Sequence, residues 1–211
     1  DKKTLQDNLT YHYLYDIIRG HWKGSGDSKA FNLISSDRYE NPIKKSSWES
    51  AFNDWFEYDL SKREKTRISL KESSILFYKY LYSYSLTAYE EISRLEYDIE
   101  HIVPVDKLKE IAGELGIPMS SFPNLCLLDS SLNRAKGSLT FYQYFQDQVD
   151  KSVLTKEQAE IEIENIEKYT HTTETDLDFV ISNFTIENYK EFLQNRFTKV
   201  VELFLEYNNI T

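Results

Sequence analysis

Through most of this chain apolar side chains recur every three or four residues, the spacing that lines them along one face of a helix. Leu5, Leu9, Tyr13 and Ile17 predict a helix over 4–19, closed by the stretch 20–28, which holds three of the six glycines. Trp48, Phe52, Trp55 and Phe56 predict a second helix, with Ser46 and Glu49 spaced as a capping box at its start. Ser69 and Glu72 repeat that spacing ahead of Ile75, Tyr78, Leu81 and Tyr82. Residues 1–90 therefore form an expected helical subdomain.

The period then changes. Tyr97 to Val103 alternates as a strand does, and Pro104, which has no N–H to donate, ends it. Asp106 is placed to cap a short helix running to Leu115, with Leu108, Ile111, Ala112 and Leu115 on one side and Gly116 and Pro118 as stops. Asn124 to Leu128 predicts a second strand, and Ser130 or Ser131 starts a helix bearing Asn133 and Lys136. Thr140 begins another, with Phe141, Tyr144 and Phe145 turned inward. The expected order within 91–150 is strand, helical insertion, strand, helix. Residues 151–211 are expected to be helical and to pack on that core: a helix over 156–169, a polar break at 171–175, and a long helix over 185–207 carrying Phe192, Phe197, Val200, Leu203 and Leu205. The fold class expected is α+β, predominantly α-helical.

Composition narrows what such a fold does. At 211 residues, with 40% hydrophobic content and 15% aromatics, the chain has ample material for a core. A single cysteine, Cys126, excludes an internal disulfide and a cysteine-rich zinc knuckle. No apolar run approaches the ~20 residues of a membrane span, and no signal-peptide pattern opens the chain, so a cytoplasmic protein with no membrane partner is expected. The chain starts at Asp1 and its one methionine is Met119, so a processed chain or an excised piece of a longer protein is expected. The net charge of −10 opposes binding to a polyanion, because affinity for phosphates comes from Lys and Arg releasing counterions. Lys62, Arg63, Lys65, Arg67 and Lys71 form the basic run that stands out, either a solvated helix end or a phosphate-contacting patch.

The chemistry gathers in Asp98-Ile99-Glu100-His101-Ile102-Val103-Pro104 and in the stretch from Pro123 to Gly137. Hydrolysis of a phosphodiester needs a base to take a proton from water and positive charge on the phosphate and the departing oxygen. His101 is the candidate base. Glu100 and Asn133 offer hard oxygen ligands suited to Mg²⁺ or Mn²⁺. On a regular strand Glu100 and His101 face opposite ways, so they share a site only where the strand ends or twists, whereas Asp98 shares the face of Glu100. Either Asp98 or Glu100 can be the main metal ligand. Singly, each residue has a plainer reading: a structural histidine, a turn asparagine at Asn124, a surface amide at Asn133, a helix end at Lys136-Gly137. His12, His21 and His171 lack this setting and are expected to be non-catalytic.

Together these residues resemble the ββα-metal fold of HNH endonucleases over about 97–144. The nine-residue step from Asn124 to Asn133, with Lys136 three further on, is similar to the HNH domain of RNA-guided CRISPR nucleases. The form Asp-Ile-Glu-His-Ile-Val-Pro, a helical insertion, Asn-Leu-Cys-Leu-Leu and Asn-Arg-Ala-Lys-Gly is most similar to the C-terminal nuclease domain of GmrSD-type modification-dependent restriction proteins. The resemblance implies His101 as general base, Glu100 and Asn133 as metal ligands, Asn124 as the residue bracing the loop that orients His101, and Arg134 and Lys136 on the helix surface near phosphate. Glu100 stands where Asp is commoner and Asn133 where His is commoner, which bears on metal preference.

The function expected is a Mg²⁺- or Mn²⁺-dependent HNH endonuclease cutting DNA, the effector of a prokaryotic restriction or anti-phage protein. The family implies a further N-terminal NTPase or DNA-sensing domain. The alternatives are an RNA-cleaving or non-specific nicking toxin, and a binding module with an inactive ββα relic. Target sequence and oligomeric state are not set by the sequence.

Overall fold

The first strand stops where the chain bends at Ile102 and Val103, ahead of Pro104, and the rest of the architecture is built around that strand and its partner. In the computed structural model, residues 2–21, 41–61, 72–86, 97–112 and 116–211 are described. Three helices come first: α1 (Lys2–Ile18), α2 (Lys45–Leu60) and α3 (Glu72–Leu86). Strand β1 (Tyr97–His101), helix α4 (Val105–Ile111), a 3₁₀ turn (Phe122–Asn124), strand β2 (Leu125–Asp129) and helix α5 (Ser130–Lys136) follow. The chain ends with α6 (Phe141–Asp150), α7 (Lys156–Thr170), two single-turn helices α8 (Glu174–Leu177) and α9 (Phe179–Ser182), and α10 (Ile186–Tyr207). The fold is α+β and predominantly helical, with one two-stranded antiparallel sheet among the described residues.

The sheet register pairs Tyr97 with Asp129, Glu100 with Cys126 and His101 with Leu125. Helix α5 lies against both strands, and α3 and α7 pack on β2. One buried core runs from α1 through the sheet to α10. Its centre is aromatic: Phe122, on the turn that leads into β2, stacks on Trp55 of α2 with centroids 4.2 Å apart and meets Phe197 of α10 edge-on at 5.6 Å. Phe56 stacks on the same Phe197 at 4.4 Å. Such pairs add to the burial of their large apolar area, so the helical scaffold grips the loop that delivers β2.

Several expectations are corrected. Leu9 and Tyr13 of α1 are exposed, and the side chains turned inward include Asn8, His12, Leu14 and Asp16. Polar bonds decide that face: His12 Nε2 lies 3.0 Å from the Asn41 carbonyl, and His21 Nδ1 lies 3.0 Å from the Asp16 carboxylate. Ser46 does not cap α2, which starts at Lys45 with Lys44 as a cap residue making no side-chain bond. Asp106 does not cap α4 either. Pro104 occupies the cap position and Asp106 pairs with Lys109 at 2.8 Å inside the helix. Strand β1 stops at His101 rather than Val103, and Asn124 belongs to the 3₁₀ turn rather than to β2. The cap of α5 is Asp129, whose carboxylate accepts from the Ser131 and Leu132 backbone N–H groups. Thr140 caps α6 as expected, in a capping box with Gln143. The Ser69 end of the second expected capping box, the basic run from Lys62 to Lys71, Leu115 and the glycines at 24 and 26 lie outside the described residues.

Candidate active site

The face of β1 that carries Asp98 and Glu100 is covered by α5, and the two elements meet through paired side chains. Residues two apart on a strand share a face, and residues three apart on a helix are neighbours. Asp98 and Glu100 therefore line up with Asn133 and Lys136. The Asn133 amide donates to Asp98 Oδ2 over 3.3 Å, a long bond that leaves the amide oxygen outside it. Lys136 donates to Glu100 Oε1 at 2.7 Å.

His101 is the last residue of β1 and points away from that row. It is 5% exposed, and its Nε2 lies 3.1 Å from Ser120 Oγ, a hydroxyl that serves either ring tautomer because it both donates and accepts. Burial, and after it the Lys136 charge, pull the imidazole down to about 4, so it is neutral at pH 7. The strand ends at His101 and the backbone turns there through Ile102 and Val103, but the His101 side chain stays on the face opposite Glu100.

Asn124 holds that turn. Its Oδ1 accepts from the Val103 N–H at 2.9 Å, and its Nδ2 donates to the Val103 carbonyl at 3.1 Å and to the Met119 carbonyl at 2.9 Å. Its own carbonyl accepts from the Ile102 N–H at 2.8 Å. The side chain is fully buried, so each of these bonds replaces one that water would otherwise make. One amide thus clamps the segment immediately after His101 to the loop that carries Ser120.

Lys136 is not on the helix surface. Its side chain is 1% exposed against 17% for Glu100, and its ammonium also donates to the Gly137 and Leu139 carbonyls at 3.4 and 3.3 Å. Arg134 is exposed. Cys126, opposite Glu100, is buried with its thiol pushed up to about 12, which removes it as a nucleophile.

Three residues that bear on this region carried no sequence signal. Asp59 of α2 accepts from the Phe122 N–H at 2.9 Å. Tyr189 of α10 donates to the Pro118 carbonyl at 3.1 Å. Arg196 of α10 spends its guanidinium on the Pro123, Leu125 and Thr170 carbonyls, Thr172 Oγ1 and the Tyr82 hydroxyl. Each acts on a loop residue more than 60 positions away, and no periodicity or spacing encodes such a pairing.

Among the described residues no group of three or more His, Cys, Asp or Glu is arranged to hold a metal ion. A metal here would be held by two carboxylates and an amide oxygen, with water and substrate completing the set. The donors fit in chemistry, all hard oxygens with Asp98 and Glu100 on one face, and Glu100 already holds a cation, the Lys136 ammonium. No family model matches the chain, and neither does any curated protein or solved structure.

Proposed function

We propose that this chain is a metal-dependent endonuclease of the HNH type, with a ββα-metal core, that hydrolyses DNA phosphodiester bonds as the effector part of a prokaryotic restriction or anti-phage protein. The observation that carries the reading is the pairing of β1 with α5: the residues at the positions of the motif, Asp98 with Asn133 and Glu100 with Lys136, meet side by side, while Asn124 clamps the turn that follows His101. A divalent ion, Mg²⁺ or Mn²⁺, would neutralise charge on the scissile phosphate and the departing oxygen. Glu100, Asn133 and Asp98 are the residues that would hold it. His101, neutral at pH 7, would be the group that takes a proton from water, and a phosphate brought against it would raise its basicity, because an adjacent negative charge favours the imidazolium. Arg134, exposed on α5, would contact the DNA backbone.

The burial of His101 and the closed Glu100 to Lys136 pair favour a second reading, a nucleic-acid or protein-binding module whose ββα unit is an inactive relic. Supercoiled plasmid separates the two. Nicking that requires Mg²⁺ or Mn²⁺ and stops in EDTA is the expected result, and equal cleavage in excess EDTA would remove the metal-dependent reading. Parallel assays on single-stranded RNA and unmodified duplex DNA distinguish a DNA enzyme from an RNA-cleaving or non-specific nicking toxin.

A further inference from the structure

The Lys136 ammonium sits in a cage made entirely of oxygens. One is Glu100 Oε1 at 2.7 Å, and the others are the carbonyls of Gly137 and Leu139 at 3.4 and 3.3 Å. Three acceptors match the three N–H bonds of an ammonium. The chain is shaped to supply them: Gly137 has φ +54°, a left-handed conformation glycine adopts at little cost, and the turn it makes brings the Leu139 N–H back to the Lys136 carbonyl at 3.1 Å. A lysine this deeply buried is unusual unless its charge is matched, and here the match is a carboxylate that faces the helix beside Asp98 and Asn133.

We propose that Lys136 is the resident counter-cation of Glu100, competing with a divalent ion for the same carboxylate oxygen, so that the site takes up metal only as the ammonium leaves Glu100. This rests on the nuclease reading, in which Glu100 is a metal ligand. Two cations held on one oxygen repel strongly where little water screens them. The state with Lys136 on Glu100 and the state with metal on Glu100 therefore exclude one another. The pair keeps Glu100 oriented and charge-compensated until metal arrives, and a substrate phosphate is a natural acceptor for the displaced ammonium.

The test is Mn²⁺ binding by titration calorimetry, without DNA, on the wild-type chain, Lys136→Gln and Glu100→Gln, with folding checked by circular dichroism. Glutamine keeps an N–H donor for Glu100 but carries no charge. Lys136→Gln should bind Mn²⁺ about 10-fold or more tightly than wild type, the scale on which groups around metal ligands tune affinity. Glu100→Gln should lose binding. Should Lys136→Gln fail to fold alone, refolding it by Mn²⁺ at concentrations that leave the wild-type melting temperature unmoved supports the proposal, and failure to refold at saturating Mn²⁺ contradicts it. Unchanged or weaker affinity in a folded Lys136→Gln, with Glu100→Gln still defective, overturns the counter-cation and leaves the nuclease reading standing. Undiminished Mn²⁺ binding by Glu100→Gln overturns both.

Discussion

Two histidines, one buried and one half-buried, shape how this molecule responds to acid. His101 and His171 are both pulled down to about 4, His101 by burial and then Lys136, His171 by burial and then Arg196 and Lys199. An unfolded chain holds its histidines near 6.5, so between about pH 6.5 and 4 the unfolded state binds more protons than the folded one. Stability is therefore full above pH 6.5 and falls as the pH drops toward 4, by on the order of 1–3 kcal/mol per histidine. His171 offers the clean check. Its Nε2 has no hydrogen-bond partner, it stacks on Tyr82, and it ends α7 at φ +54°, which asparagine tolerates well. His171→Asn should melt with a flatter dependence between pH 7 and 5 than wild type. An equally steep fall in the variant would show that His171 is not one of the acid-sensitive groups.

Among the elements, α5 has most to do with the site and is only seven residues long, so its ends carry much of its stability. Asp129 closes β2 and caps α5 at once. Hydrogen bonding from the Ser131 hydroxyl, and from the Leu132 and Ser131 backbone, holds its carboxyl below the ordinary carboxylate value. Asp129→Ala should lower unfolding stability in urea by about 1 kcal/mol at pH 7, whereas Asp129→Asn, an equally good cap, should recover most of it. Equal stability of the alanine variant would mean that the cap bonds contribute nothing net. The elements themselves were largely legible in the sequence. The long helix ending at Tyr207, the helix start at Thr140 and the two strands follow from local periodicity and local spacing. What stayed hidden was long-range or polar. The inward face of α1 is chosen by His12 and Asp16 bonds that no apolar pattern reveals, and the burial of Lys136 depends on Glu100 arriving from strand β1. Of the candidate site, strand periodicity put Asp98 on the face of Glu100, and a bracing role for Asn124 was implied only by the family resemblance, while the contact of Asn133 with Asp98, Ser120 beside His101 and the Arg196 tie to the β2 loop had no local signal.

For the molecule as a whole, the helices form the frame and the loop over 116–124 is the part they hold, through Phe122 stacked on Trp55, Asp59 on the Phe122 N–H, Tyr189 on Pro118 and Arg196 on Pro123. The whole chain carries a net charge of −10. Binding of this chain to duplex DNA is expected to be weak, with a Kd of about 10⁻⁴–10⁻⁶ M near physiological salt and a steep loss as salt rises. Fluorescence anisotropy across a salt series checks it, and nanomolar affinity at physiological salt would contradict the need for a second DNA-binding part. The central claim is that His101 and Asn133 perform different jobs in one hydrolytic site, and the most direct measurement is the nicking rate of supercoiled plasmid by wild type, His101→Ala, Asn133→Ala and the double variant across a Mn²⁺ series. The account predicts a loss of about 10²-fold or more for His101→Ala with the Mn²⁺ requirement unchanged, since a positioned base contributes on that scale. For Asn133→Ala it predicts residual activity that needs more metal, and for the double variant a rate little below the poorer single, because residues acting in one step are not additive. Wild-type rates in both single variants, from protein free of contaminating nuclease, would contradict it.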